Sequence, residues 1–236
     1  MQESYHTFYS HILGREIEFM VSGHWGYPIL MFPTSMGNAY QNRDFHMMDT
    51  IRDLIEAGKV KVYNVDSIDF LSFYNKELPP NIMIYNYNLY TRFLHEEFVP
   101  MIQRTCQVHR IAVAGCSFGG FHAANYAFKY PDTVGQLISM SGAFSIKSFM
   151  RGYFDDHVYF NNPMDYLTNR ESWVYDHMKI ILGTSDWDIC RPDNLELSQL
   201  LASKGIDHWF DEKKWAPHDW PLWRTMFPQY VRSFIQ

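Results

Sequence analysis

Short apolar runs alternate with longer segments of helical periodicity along most of the chain. Two antiparallel opening strands are predicted over 6–13 and 16–22, separated by a turn at Gly14 and Arg15. Further strands are predicted over 27–32, 59–65, 111–114, 134–140, 179–183 and 207–214. Helices are predicted over 42–57, 82–104, 118–130, 193–204 and 220–234. This alternation indicates an α/β fold with a mostly parallel central sheet covered by helices on both faces.

A single domain over 1–236 accounts for this pattern, because no Pro/Gly/Ser-rich linker, repeat or low-complexity tract divides the 236 residues. The alternation of strands and helices is interrupted over 144–176, where we expect a short lid-like insertion. Its aromatic and asparagine side chains suit either a wall around a ligand or the packing core of the segment itself. These side chains are Phe149, Tyr153, Phe154, Tyr159, Phe160, Asn161, Asn162 and Tyr166.

A serine with a glycine two residues away on each side follows the strand over 111–114. Gly115, Ser117 and Gly119 lie where this strand ends and the next helix begins. At such a turn, small flanking residues let the strand and the helix approach closely, and the central residue takes a strained conformation that lifts its side chain clear of the sheet. The pattern predicts that Ser117 is a catalytic nucleophile rather than a bystander in a glycine-rich turn.

A serine hydroxyl needs a base to accept its proton and an acid to orient that base. In α/β folds that carry a catalytic serine at such a strand-to-helix turn, both partners follow the serine along the chain, each on a loop just past the carboxyl end of a strand. The segment after the strand over 179–183 contains two aspartates. Asp186 is the favoured acid because it lies closer to the end of the strand, and Asp188 is the second choice.

The predicted base lies in the loop after the last strand. His218 follows the strand over 207–214, whereas His208, the other histidine beyond the candidate acids, lies within that strand. We therefore predict that His218 is the base. The neighbouring Asp219 is interpreted as a helix-entry residue, because an aspartate at a helix start commonly accepts hydrogen bonds from free backbone N–H groups.

Attack on an ester carbonyl creates an oxyanion that preorganised donors must stabilise. The backbone N–H of Phe118, directly after the nucleophile at a helix start, is the first expected donor. The loop after the strand over 27–32 should supply the second, from the main chain of Thr34 or Ser35. The loop over 66–74, after the fourth strand, is expected to reach the same edge of the sheet.

Composition favours small-molecule chemistry. The formal net charge is −6 and the chain has no basic run, which argues against nucleic acid or an anionic membrane as the main partner. No apolar stretch approaches the roughly 20 residues that span a bilayer, and the N-terminus lacks a secretory pattern, so we expect cytoplasmic residence. Cys106, Cys116 and Cys190 lack metal-like spacing and are interpreted as reduced thiols.

The motifs together resemble α/β-hydrolases of the esterase family that includes esterase D, feruloyl esterase and mycolyltransferase-type enzymes. The most specific block is His218, Asp219 and Trp220 with Trp223 three residues further on. The other blocks that carry the resemblance, which extends over nearly the whole chain, are 28–37, 115–120, 183–186, 194–201 and Gly205.

Two positions depart from the family pattern. Pro217 stands where a glycine usually precedes the histidine, and Pro33 with Thr34 stands where many relatives carry His-Gly. The resemblance implies an α/β-hydrolase fold. It also favours Asp186 as the acid, because the family carries its acid three residues after the glycine that corresponds to Gly183.

These features predict a serine carboxylic-ester hydrolase that acts on a small-molecule ester through an acyl-enzyme and requires no metal or organic cofactor. An acyltransferase or a thioesterase would use the same triad. A non-catalytic binding protein with this fold is the other alternative, although all three triad residue types stand at their expected places. The sequence leaves open the acyl group, the alcohol and the oligomeric state, and a homo-oligomer is compatible with it.

Overall fold

The computed structural model describes residues 1–235, whose strands form one eight-stranded sheet. The strands are β1 (Glu3–Ser10), β2 (Arg15–Ser22), β3 (Tyr27–Phe32), β4 (Val60–Val65), β5 (Ile111–Cys116), β6 (Val134–Met140), β7 (Lys179–Trp187) and β8 (Trp209–Pro217). Their order in the sheet is β1-β2-β4-β3-β5-β6-β7-β8. The pairs β1–β2 and β2–β4 are antiparallel and all other neighbours are parallel. The predicted α/β class is therefore confirmed.

Helices connect most of the parallel strands. They are α1 (Gln41–Asp44), α2 (Arg52–Glu56), α3 (Pro80–Phe93), α4 (Val99–Cys106), α5 (Phe118–Lys129), α6 (Asp156–Tyr159), α7 (Pro163–Tyr166), α8 (Arg191–Ser203) and α9 (Trp220–Arg232). Short 3-10 turns lie at Met48–Ile51, Asp69–Leu71, Pro131–Thr133, Leu167–Asn169 and Ser172–Tyr175.

The core lies on both faces of the sheet, because neighbouring residues of each strand point to opposite sides. On β5, Ile111 and Val113 pack towards α3, α4 and α5, whereas Ala112 and Ala114 pack towards α2 and α9. All of β5 is buried. Because β3 and β5 are parallel neighbours, the loops that follow them meet at one edge of the sheet, where ligands bind in open α/β sheets.

Two predicted helices differ from the structure. The helix predicted over 42–57 is interrupted because His46 has φ +61°, a left-handed conformation that ends α1. The helix predicted over 82–104 is continuous but contains a π-helical turn at Leu94–Phe98. Pro100 lies just beyond that turn and has no N–H to donate to the carbonyl one helical turn earlier, which accounts for the wider turn.

The last two parallel strands extend beyond their predicted ends. β7 continues from 183 to Trp187, and β8 continues from 214 to Pro217. Pairing between the two strands maintains this extension, because Ser185 lies opposite Lys213 and Trp187 lies opposite Pro217, with an irregularity between them. Residues 184–187 and 215–217, which the sequence predicts to be loop, are therefore strand.

The segment over 144–176 forms α6, α7 and two 3-10 turns between β6 and β7. Much of it packs into the domain. The Tyr166 hydroxyl donates to the Asn125 side chain on α5 over 3.2 Å, and Asn161 and Asn162 are fully buried. Phe154 and Phe160 are 58% and 49% exposed.

Two further sequence expectations concern membrane helices and cysteines. Within residues 1–235, no helix has both the length and the apolar character needed to cross a bilayer. The three thiols form no disulfide, and Cys116 is buried in the core.

The contact between β7 and α9 generates a prediction about stability. A Cβ added at Gly183 would lie 2.4 Å from the Tyr230 hydroxyl oxygen, so the helix would have to shift. We expect Gly183→Ala to lower the free energy of unfolding by about 1–3 kcal/mol, the usual cost of overpacking, as measured by urea denaturation. In a Tyr230→Phe background the loss should be smaller because the nearest atom is absent. Equal losses in both backgrounds would contradict this explanation.

Candidate active site

The turn between β5 and α5 positions Ser117. This residue has φ +56° and ψ −125°, outside the backbone regions that residues other than glycine ordinarily adopt. The approach of strand and helix requires glycine, because a Cβ on Gly115 would lie 2.2 Å from the Gly119 carbonyl oxygen. A Cβ on Gly119 would in turn lie 2.3 Å from the Pro33 carbonyl oxygen. The two glycines therefore bring the turn together and allow the loop after β3 to lie against it.

His218 lies between β8 and α9, one residue before the cap of α9. Its Nε2 is 2.9 Å from the Ser117 hydroxyl oxygen, although the two residues are 101 positions apart in the sequence. The predicted capping role of Asp219 agrees with the structure, since its carboxylate accepts a hydrogen bond from the Trp220 N–H at 2.7 Å. The Trp223 ring meets the imidazole of His218 edge-on, with ring centroids 5.1 Å apart. The cap and this ring restrict where the imidazole can lie.

Asp188 is the carboxylate that contacts the histidine. Its Oδ1 lies 2.7 Å from His218 Nδ1 and also accepts the Cys190 backbone N–H at 2.8 Å. Its Oδ2 accepts a longer hydrogen bond of 3.3 Å from the Thr184 hydroxyl. The side chain of Asp188 is completely buried. A continuous chain of hydrogen bonds therefore joins Ser117, His218 and Asp188.

The structure corrects the prediction that Asp186 occupies this position. The Asp186 carboxylate accepts the backbone N–H of Trp215 at 2.7 Å and does not reach the imidazole. The physical reason is the length of β7: Asp186 is still within the strand, and Asp188 is the first residue beyond its end. Asp186 instead stabilises the backbone at Trp215, which has φ +61° and donates its N–H to this carboxylate.

Hydrogen bonds determine the charge state of Asp188. Burial by itself would raise the pKa of this carboxyl, but hydrogen bonds from His218, Ser141 and the Cys190 amide outweigh burial and lower it below its ordinary value of 3.8. Ser141 is held in turn by the Trp223 indole N–H, which donates to its hydroxyl at 2.8 Å. The carboxylate is thus kept ionised beside the imidazole.

The hydrogen-bond partners also define the tautomer of a neutral His218. An ionised carboxylate only accepts, so the ring proton lies on Nδ1 and is donated to Asp188. Nε2 is then an acceptor and faces the hydroxyl of Ser117. This is the arrangement in which an imidazole can remove a proton from a serine.

The two candidate oxyanion donors in the loop after β3 differ in availability. The Thr34 N–H donates to Gln41 Oε1 at 2.8 Å, and the Thr34 hydroxyl contacts the same oxygen at 3.1 Å. By contrast, the Ser35 N–H has no hydrogen-bond acceptor among residues 1–235. The Phe118 N–H belongs to the first turn of α5, where backbone N–H groups lack partners within the helix.

Aromatic side chains cluster around Phe118, the residue that follows Ser117. The Tyr74 ring lies 5.5 Å from the Phe118 ring and 5.2 Å from the Phe149 ring, measured between centroids. The Tyr74 hydroxyl donates to the Ser35 hydroxyl at 2.6 Å. Of the aromatic residues predicted to face a ligand, Phe149 is the one in contact with Phe118. The loop over 66–74 reaches the site through Tyr74.

Several supporting residues were missed by reasoning from the sequence. Ser141, Thr184 and Gln41 are small or amide side chains with no distinguishing motif around them. Trp223 belongs to the block that carries the family resemblance, but nothing in the sequence predicts its contact with Ser141. Only the position of Ser141, directly after the end of β6 at the active edge of the sheet, could have signalled its role.

One cluster of side chains within residues 1–235 has the composition of a metal site. Asp188, Cys190 and His218 offer ligand atoms that lie within 4.8 Å of one another. Two of these residues are already joined by the 2.7 Å hydrogen bond. The cluster therefore coincides with the Ser117–His218–Asp188 chain and is not a separate site.

The sheet order and the Ser–Asp–His arrangement define a serine hydrolase with the α/β-hydrolase fold. The chain belongs to the esterase family: the sequence profile described as "Putative esterase" matches residues 10–234. Membership in this family makes the protein an esterase. No curated protein is a significant match to the sequence.

Solved structures of several hydrolases share this fold. A ferulic acid esterase has 18% identity and a TM-score of 0.77, with 99% of each chain covered. FphF, a fluorophosphonate-binding serine hydrolase of Staphylococcus aureus, has 13% identity and a TM-score of 0.76, with 100% of this chain and 98% of that one covered. The S-formylglutathione hydrolase FrmB of Staphylococcus aureus has 13% identity and a TM-score of 0.71, with 100% and 97% covered. At these identities the similarity establishes the fold alone.

The lowered pKa of Asp188 predicts how stability depends on pH. Because the folded-state pKa lies below the ordinary value of 3.8, the ionised carboxylate stabilises the fold above that value, and its contribution is lost as pH falls through the folded-state pKa. We expect the stability difference between wild type and Asp188→Asn, measured by urea denaturation, to be smaller at about pH 3 than at about pH 5. A difference that stays constant or grows on acidification would contradict this.

Proposed function

We propose that the protein hydrolyses a small carboxylic ester through an acyl-enzyme on Ser117, with His218 as general base and acid and Asp188 as the carboxylate that orients it. The observation that carries the proposal is the hydrogen-bond chain from Ser117 Oγ through both ring nitrogens of His218 to the buried Asp188. Both distances, 2.9 Å and 2.7 Å, are those of direct hydrogen bonds.

The reaction begins when Ser117 Oγ attacks the carbonyl carbon of the ester and its proton passes to His218 Nε2. The electron pair of the carbonyl bond moves onto oxygen, and when it returns, the bond to the alcohol breaks and Nε2 gives its proton to the leaving oxygen. Water then repeats the sequence on the acyl-enzyme, so the acid is released and Ser117 regains its proton. Asp188 remains ionised throughout and stabilises the imidazolium.

The oxyanion is assigned to the backbone N–H groups of Phe118 and Ser35. Both N–H groups are free to donate to a new acceptor, whereas the Thr34 N–H would first have to break its hydrogen bond to Gln41. The hole lies where Gly119 allows the loop after β3 to touch the start of α5. Preorganised donors at this point stabilise the charge without reorganisation during the reaction.

Thioester hydrolysis would use the same groups and is the second candidate. The name of FrmB describes a hydrolase of S-formylglutathione, a thioester, which makes this substrate class worth testing here. Acyl transfer differs only in which nucleophile replaces water. The partly exposed rings of Tyr74 and Phe149, which pack against the buried Phe118, suit an apolar or flat acyl group. Cytoplasmic residence is also part of the proposal.

The two aspartates provide the sharpest test of the triad. We expect Asp188→Asn to lower kcat for p-nitrophenyl acetate by about 10³–10⁴-fold, because the imidazole loses the partner that fixes its tautomer. Asp186→Asn is the matched control, two residues away, and should keep activity close to wild type. Ser117→Ala should lower turnover by several orders of magnitude while the protein remains folded.

Steady-state kinetics with circular dichroism on each variant would measure these effects. If Asp186→Asn lost more activity than Asp188→Asn at equal folded stability, the assignment of the acid would be wrong. Undiminished turnover in Ser117→Ala would remove Ser117 from the mechanism altogether.

A further inference from the structure

A second buried aspartate–histidine pair lies close to the triad but outside it. Asp69 and His122 have side chains that are 1% and 2% exposed, and Asp69 Oδ1 lies 3.2 Å from His122 Nε2. The other carboxylate oxygen, Oδ2, accepts the backbone N–H of Met36 at 2.8 Å. A buried polar group is costly unless it is hydrogen-bonded, and this carboxylate uses one oxygen for a side chain and the other for the loop after β3.

The loop segment that Asp69 holds is a turn over residues 34–37. The Gly37 N–H donates to the Thr34 carbonyl oxygen at 2.9 Å. The peptide that carries this carbonyl also carries the N–H of Ser35, so the turn determines where the proposed oxyanion donor points. A trans peptide places its C=O and N–H in opposite directions, so the direction of the Ser35 N–H is fixed by the turn.

Met36 occupies the third position of this turn with φ +58°. Type II turns require positive φ at that position, which glycine or asparagine normally supplies without strain. Methionine is therefore strained there, and its side chain, 54% exposed, gains little packing in return. The hydrogen bond from the Met36 N–H to the Asp69 carboxylate offsets this strain.

His122 connects the anchor to the nucleophile helix. It lies on α5 five residues after Ser117, and its ring meets the Phe118 ring edge-on at 4.7 Å. The carboxylate of Asp69 only accepts, so His122 Nε2 carries the proton of that hydrogen bond, and Nδ1 lies 3.2 Å from the Tyr87 hydroxyl on α3. The turn and α5 therefore share one buried anchor.

We propose that Asp69, held by His122, is a positioning residue that maintains the 34–37 turn in its strained form and so aims the Ser35 N–H at the oxyanion. This inference rests on the proposed function, because it requires Ser35 to be an oxyanion donor. Asp69 touches no reacting atom. It acts through the Met36 peptide and determines whether the hole is preorganised before substrate binds.

The test compares Asp69→Ala with Asp66→Ala in ester hydrolysis. Asp66 is a carboxylate of the same loop that accepts the Ala39 N–H at 2.6 Å, outside the turn, so it is a matched control. We expect Asp69→Ala to lower kcat by about 10²-fold, the scale of losing one oxyanion donor, with KM nearly unchanged. Asp66→Ala should have a much smaller effect on kcat. Equal losses in kcat, or an unchanged kcat in Asp69→Ala, would overturn the proposal.

A rescue variant separates positioning from general destabilisation. Glycine adopts positive φ without strain, so Met36→Gly should restore at least about tenfold of the kcat lost in Asp69→Ala. It should not improve Asp66→Ala. If Asp69 were only a packing residue, glycine at position 36 would restore nothing. Where Asp69→Ala does not fold, Asp69→Asn takes its place, with a smaller loss of kcat and the same rescue.

Hydrogen exchange provides a readout independent of ester turnover. We expect amide exchange in residues 34–38 to accelerate in Asp69→Ala and to remain at the wild-type rate in Asp66→Ala, in which only Ala39 should exchange faster. If wild type hydrolysed no ester while exchange followed this pattern, the proposed function would fail and the anchoring of the turn would stand. Unchanged exchange at 34–38 in Asp69→Ala would overturn the anchoring itself.

Discussion

The close contact between Gly115 and Gly119 is the constraint on which the rest of the structure depends. A side chain at either position would overlap backbone atoms, so β5 and α5 can meet only as they do, with Ser117 in a strained conformation at the turn. The same absence of a Cβ at Gly119 lets Pro33 approach, which brings the loop after β3 against the start of α5. Ser117 and the proposed oxyanion donors are thus positioned by two contacts that share Gly119.

Buried hydrogen bonds then hold the groups that surround this turn. Trp223 and Ser141 support the Asp188 carboxylate from the side of α9 and β6, and Asp69 supports the loop after β3. Each of these polar groups is satisfied by a specific partner, so their orientation is restricted much more than that of a surface side chain would be. The strained backbone conformations of Ser117 and Met36 persist because the surrounding contacts hold them in place.

The fold and most of the candidate site follow from local sequence features. β3 and β6 were predicted with their observed bounds, and Ser117 and His218 lie within hydrogen-bonding distance as expected. The predicted acid lies two residues too early, because spacing from Gly183 does not reveal that pairing with β8 extends β7 to Trp187. The choice between Thr34 and Ser35 depended on Gln41, a contact seven residues away that no motif marks.

The most direct test of the account is the mass of the protein after brief reaction with p-nitrophenyl acetate and acid quenching. If Ser117 attacks with the help of His218, wild type should gain the mass of one acetyl group, and peptide mapping should locate it on Ser117. His218→Ala should form the adduct far more slowly. Rapid turnover with the acetyl group on another residue, or equal acetylation of wild type and Ser117→Ala, would contradict the account.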